Sequence, residues 1–300
     1  MKSIKIIISV IVVGIMVICV VSCGENKSNL KKEVWESPSG KTYSIKILEL
    51  NSQAKMLDKD DNYSVRHKKI GEIALYEFVP KACNGNLMLF LHDSGATKEV
   101  FFEQMRDYAA EGYYCSAIDF MGFGERKNSK KYMLAEICVA SVQEIDFLIE
   151  YYTEKESLKN FGMVGISFGG SVVYQYCAYG KRMPGAVAVG CATPNLAKQP
   201  GITISNGKLE EPIWSEERLK RYAKNRNPMN NLSRFKKLPI ITGNNTEDQL
   251  ISVKDIRIVE KYLYRNGNKS ARFYYYEDKT HGVSDEFVKL ILPYMNSNLK

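Results

Sequence analysis

Six short apolar runs, separated for the most part by helix-length amphipathic stretches, limit this chain more than any other feature. The runs are Leu87–Leu91, Tyr113–Ile118, Phe161–Ile166, Ala186–Val189, Leu238–Thr242 and Ala271–Tyr276. Each has the length of a strand, and a strand that is apolar on both faces has none to give to water. The amphipathic stretches are Glu99–Glu111, Met133–Tyr152, Gly169–Tyr179, Lys254–Asn266 and Asp285–Asn298. This alternation predicts an α/β fold with a mostly parallel central sheet and helices on both faces. Ahead of it, Thr42–Leu50 and Glu72–Pro80 read as extended runs. Only a few residues separate the early runs, so the sheet is expected to begin with antiparallel strands.

One connection breaks the rhythm. Thr193–Lys237 is far longer than an ordinary loop. Ser215, followed by Glu216 and Glu217, reads as the N-cap of a helix within it. Open α/β sheets bind ligands beyond the carboxyl ends of their strands, where such an insertion would sit. We therefore expect one domain over residues 41–300, with a short lid at 193–237.

The beginning of the chain has a different character. Lys2 and Lys5 precede Ile6–Val21, 16 residues without a charge, and Val20-Val21-Ser22-Cys23 follows. This is the layout of a secretory signal. Ending on Cys23, it resembles a bacterial lipoprotein signal, which implies a signal peptide over 1–22, acylation at Cys23 and a membrane-anchored protein on the extracytoplasmic face. As a helix, 16 residues would reach about 24 Å, short of a hydrocarbon core of about 30 Å, so a spanning anchor fits less well. Residues 24–40, polar with Pro38 and Gly40, read as the tether of a 23–40 segment. Loss of Lys2 and Lys5 lowers the formal net charge from +8 to +6. Basic residues so scattered argue against nucleic acid as a partner; they suit weak attraction to anionic head groups or wall polymers, or serve only solubility. Cys83, Cys115, Cys138, Cys177 and Cys191 are odd in number, widely spaced and free of zinc-like pairs, and most read as small buried hydrophobes.

Chemistry concentrates at Gly165-Ile166-Ser167-Phe168-Gly169-Gly170, directly after an expected strand and before an expected helix. A serine held there needs a sharp strand-to-helix turn, which crowds the backbone and calls for glycine on either side. The helix start behind it favours negative charge nearby.

From about Leu87 onward the chain resembles the α/β-hydrolase superfamily, of the serine esterase or related serine peptidase type. Leu89-Phe90-Leu91-His92-Asp93-Ser94-Gly95 is similar to that family's His-Gly segment, which implies an oxyanion-hole amide from Ser94, with the second from Phe168. Asp93 stands where glycine is usual, and a carboxylate there would weaken the site unless its side chain points away. Asp119-Phe120-Met121-Gly122-Phe123-Gly124 matches a further family segment, with Asp119 as a loop organiser and Phe120 and Phe123 as pocket lining. Of the three histidines, His281 falls where the family's general base lies, between Ala271–Tyr276 and the last helix. His67 reads as solvent-exposed and His92 as structural. The orienting acid is implied by Gly243-Asn244-Asn245-Thr246-Glu247-Asp248-Gln249-Leu250-Ile251: Asp248 fits if two residues are inserted, and Glu247 is the competitor.

The resemblance implies acyl transfer in two steps, with Ser167 attacking, His281 shuttling the proton and water releasing the acyl group. A small-molecule ester is the first expectation for substrate and a short peptide, cut by an exopeptidase, the second. A non-catalytic binding lipoprotein on a hydrolase scaffold is the reading of another class. No metal or organic cofactor is expected.

Overall fold

The computed structural model describes residues 32–199, 201–278 and 280–299. The expected signal peptide and Cys23 lie outside the described residues. The described chain opens with β1 (Lys32–Glu36), β2 (Thr42–Leu48), a short helix α1 (Ser52–Leu57), β3 (Tyr63–Ile70) and β4 (Ile73–Pro80). The alternating unit follows: β5 (Asn86–Leu91), α2 (Phe102–Ala110), β6 (Tyr114–Ile118), β7 (Tyr132–Met133), α3 (Leu134–Lys155), β8 (Asn160–Ile166), α4 (Phe168–Tyr179) and β9 (Ala186–Gly190). The long connection holds β10 (Thr203–Ser205), β11 (Lys208–Glu210) and α5 (Glu216–Ala223). The chain closes through β12 (Ile240–Asn245), α6 (Val253–Arg265), β13 (Arg272–Tyr276) and α7 (Asp285–Asn298).

Ten described strands form one sheet in the order β1-β2-β3-β4-β6-β5-β8-β9-β12-β13. Pairs from β1 through β4 to β6 are antiparallel, and those from β6 to β13 are parallel. The expected mixed α/β architecture is thus the observed one. All six residues of β5 are buried, as a central parallel strand with a helical layer on each face requires. The register aligns the carboxyl ends: Leu91 pairs with Gly165, Ile166 with Gly190, and Gly190 with Gly243. Loops leaving β5, β8, β9, β12 and β13 therefore emerge at one edge.

Helix α4 is apolar nearly all round because it is buried nearly all round, from Phe168 to Ala178. It packs on the sheet and against α3 and the 228–235 turns, so the segment that follows Ser167 cannot shift without disturbing the core. In α3, the Glu136 carboxylate reaches back to accept the Met133 N–H at 3.0 Å, satisfying an amide at the helix start.

Three expectations need correction. The tether over 23–40 ends earlier: β1 pairs with β2, and Trp35, 2% exposed, stacks among Tyr43, Phe147 and Tyr151. Its indole N–H donates to Glu154 at 3.1 Å. His67 is buried rather than exposed; it lies in β3 and stacks on Tyr76 at 4.2 Å. The strand expected at Leu238–Thr242 begins at Ile240, after a proline that has no N–H for the ladder, and runs to Asn245. The sheet continues through the polar Asn244 and Asn245, so the acid loop starts only at Thr246. The five cysteines of the described chain are free thiols, four of them buried.

Replacement of Trp35 by alanine removes the anchor of β1. We expect the unfolding free energy to fall by about 3–5 kcal/mol in urea titration; a loss below about 1 kcal/mol would mean that β1 does not belong to the core.

Candidate active site

At the end of β8 the chain reverses into α4 within one residue. Ser167 takes φ 51° and ψ −115°, a backbone conformation that side-chain-bearing residues rarely adopt. What enforces it is a close approach of backbone to backbone. A Cβ on Gly169 would stand 1.9 Å from the carbonyl oxygen of Leu91 and 2.7 Å from that of His92. One on Gly165 would stand 2.5 Å from the Gly169 oxygen. The Ser167 N–H donates to the Gly190 carbonyl at 2.7 Å, and its own carbonyl accepts from Ser171 at 3.0 Å. The hydroxyl is thereby left half-buried at the carboxyl edge of the sheet.

Ser167 Oγ lies 2.7 Å from His281 Nε2, and His281 Nδ1 lies 2.8 Å from Asp248 Oδ2. The Asp248 side chain is 1% exposed and that of His281 24%. The other Asp248 oxygen accepts the N–H groups of Leu250 at 2.8 Å and Ile251 at 3.0 Å. With one oxygen so occupied, the carboxylate has a fixed orientation. Next to it the imidazole carries its proton on Nδ1, which leaves Nε2 as an acceptor for the serine hydroxyl. Asp248, and not Glu247, is the carboxylate that His281 meets; Glu247 is exposed, and its N–H donates to the Asp278 carbonyl at 3.2 Å. Because β12 runs to Asn245, the acid comes three residues after the strand.

The opposite wall is the turn after β5. His92 is fully buried: its Nδ1–H donates to the Asp93 carbonyl at 2.6 Å, and Nε2 accepts the Phe120 N–H at 3.2 Å. Burial pushes its pKa below the usual 6.5, so the ring is neutral and its tautomer is set by these two bonds. Asp93 folds over its own turn, Oδ1 accepting the Gly95 N–H at 2.5 Å. Ser94 is half-buried, two residues beyond the close contact of this turn with α4. Phe168 is the first residue of α4, where an amide has no partner within the helix. Phe120 and Phe123 do not line an open pocket; they are buried beneath the site, packed on His92 and Phe168.

Behind that wall lies a set of charges that sequence reasoning missed apart from Asp119. Asp119 is fully buried and accepts from the Lys98 and Glu125 N–H groups, both at 3.0 Å, and from Lys98 Nζ at 2.7 Å. Lys98 Nζ also meets Glu125 at 2.6 Å, which in turn bonds His67 Nε2 at 2.7 Å. Burial alone would push the Lys98 ammonium down, but Asp119 and Glu125 outweigh it and hold it above its usual range. Glu125 is pushed up by burial but pulled below the usual carboxylate range by Lys98. Lys98 directly follows the Ser94 turn, so these bonds fasten one end of it.

The insertion adds β10 and β11, which extend β7 into a three-stranded sheet of their own. Its root is tied to α4, where Ser171 Oγ donates to the Thr193 carbonyl at 3.0 Å. Its first turn is tied to α6 by Lys198 and the buried Asp255 at 2.8 Å. Among the described residues, no group of His, Cys, Asp or Glu is arranged to hold a metal ion.

No sequence-family profile and no curated protein matches this chain. Solved structures do. TT1662 from Thermus thermophilus is similar with a TM-score of 0.63 at 17% identity, over 78% of this chain and 97% of that one. The Pyrococcus furiosus esterase Pf2001 gives 0.59 at 12% identity, over 84% and 98%. The Pyrococcus horikoshii acylaminoacyl peptidase gives 0.59 at 14%, over 86% of this chain and 48% of that one. The chain has the α/β-hydrolase fold.

The neutral, buried His92 makes a pH prediction. Its folded pKa lies below the unfolded value of about 6.5, so the unfolded chain binds more protons as pH falls through that value. Stability from this group is complete above about pH 6.5 and declines below it, by at most about 1.4 kcal/mol per pH unit. Urea titrations at pH 7.5, 6.5 and 5.5 should show that slope, and His92→Gln should flatten it.

Proposed function

We propose that this chain is a serine hydrolase that cleaves a carboxylic ester through an acyl-enzyme intermediate. The observation that carries this reading is the continuous relay from Ser167 Oγ to His281 Nε2, and from His281 Nδ1 to Asp248, at 2.7 and 2.8 Å. In it, His281 takes the serine proton as Oγ attacks the substrate carbonyl. Asp248, held by two backbone amides, keeps the imidazole in the required tautomer and stabilises the imidazolium that forms. The N–H groups of Phe168 and Ser94 receive the negative charge of the tetrahedral intermediate. With Asp93 engaged by Gly95, its carboxylate is drawn to its own turn. The imidazolium then protonates the leaving alcohol, and water, activated by the same histidine, frees the acid.

The likeness to an esterase supports the ester as substrate, and the small insertion suits a modest acyl group. The likeness to an acylaminoacyl peptidase supports a second reading, cleavage of a short peptide by the same relay. The reading includes attachment through Cys23 to the extracytoplasmic face of a bacterial membrane, supported by the order Lys2, Lys5, Ile6–Val21, Cys23.

Steady-state hydrolysis of p-nitrophenyl acetate and butyrate tests the proposal. The parent protein should turn over both. Ser167→Ala and His281→Ala should each lose activity on the order of a million-fold or to the solution background, and Asp248→Asn about ten-thousand-fold. Glu247→Gln should leave kcat/KM unchanged; a loss there with Asp248→Asn active would reverse the assignment of the acid.

A further inference from the structure

His281 sits in the loop between β13 and α7, yet its imidazole must be held to within a fraction of an ångström to serve two partners at once. The Glu247 N–H meets the Asp278 carbonyl at 3.2 Å, and the Thr280 N–H turns back on the Asp278 side chain at 2.8 Å. The ties that bracket His281 come from elsewhere. Asn245 Nδ2 donates to the Thr280 carbonyl at 2.8 Å and to the Gly282 carbonyl at 3.1 Å. These are the residues immediately before and after His281.

We propose that Asn245 is a positioning residue that fixes His281 for proton transfer, an inference that rests on the hydrolase reading above. A primary amide is suited to the task, because one nitrogen carries two N–H donors in one plane and can hold two carbonyls at once. Its orientation follows from its surroundings: turned over, its oxygen would face two carbonyl oxygens. Held at the peptide group before it and at the carbonyl of the residue after it, His281 has its backbone pinned on both sides, which restrains the direction of its Cα–Cβ bond; the bond to Asp248 then orients the ring. The base of the clamp is rigid. Asn245 is buried, it ends β12, and its backbone pairs in register with Tyr276 of β13, the strand that leads to the loop. Asp248 leaves the same strand end three residues later. Base and acid therefore share one platform, and the distance between them does not depend on two independent loops. The Cys191 thiol adds a bond to the Gly282 carbonyl; burial pushes that thiol up to about 11, so it stays protonated and remains a donor.

The test compares Asn245→Ala and Asn245→Asp with the parent and with Ser167→Ala. Aspartate keeps the shape of asparagine but, when ionised, offers no donor and sets a negative charge against two carbonyl oxygens. Melting curves first establish that each variant is folded. On p-nitrophenyl acetate, kcat should fall about 100-fold in the alanine variant and further in the aspartate variant, the loss expected for a misplaced catalytic group. KM should stay within about twofold, because substrate binding and the oxyanion donors are untouched. A folded variant of either kind with kcat near the parent value would overturn the proposal, as would a loss confined to KM. If the parent itself is no faster than Ser167→Ala, it is the hydrolase reading that fails.

Discussion

At Gly169 two backbones touch with no side chain between them, and the rest of the site depends on that contact. The carbonyls of Leu91 and His92 lie where a Cβ would be, so α4 can start this close to β5 only on a glycine. The approach draws the Ser94 turn and the Phe168 amide to the same spot. It also leaves Ser167 no room to continue as strand or to begin as ordinary helix, hence its positive φ. Strain of this kind costs on the order of 1–3 kcal/mol and persists only where its surroundings over-determine it. Here the surroundings are a fully buried helix on one side and a ladder of parallel strands on the other.

The groups that meet Ser167 are placed by that same ladder. Asp248 follows β12 by three residues and His281 follows β13 by five, and both strands end two residues past the level of Ile166 in an unbroken register. Short loops from aligned strand ends leave little freedom, and what remains is removed by hydrogen bonds: two amides on Asp248, two carbonyls on the Asn245 side chain. Lys98 and Asp119 do the equivalent on the opposite wall. In the proposed mechanism three side chains carry the chemistry, and the residues around them supply its accuracy.

Much of this was legible in the sequence, for definite reasons. Runs such as Leu87–Leu91 could be read because a strand buried on both faces has a composition unlike any loop. The Ser167 motif could be read because its crowding demands glycine at named positions. Other features had no local signal. The stretch Lys32–Glu36 is mostly charged, and only Trp35 hints at a strand; its burial comes from Tyr43 on the neighbouring strand and from Phe147 and Tyr151, far away in sequence. His67 sits among Arg66, Lys68 and Lys69, a pattern that reads as exposed, whereas Glu125 and Tyr76 bury it. Asn245 looked like part of a polar loop because its two acceptors lie 35 and 37 residues onward. Sequence shows what a residue needs and seldom which distant partner supplies it.

Activation of Ser167 by His281 can be read with a fluorophosphonate, which reports the chemistry without any choice of substrate. The protein beginning after Cys23 would be treated with the reagent, digested, and its adduct located by mass spectrometry, beside His281→Ala. One adduct is expected, on the peptide that contains Ser167, formed by the parent and not by the variant. A folded parent that takes no adduct, or one whose adduct lies on another residue and persists in His281→Ala, would contradict it.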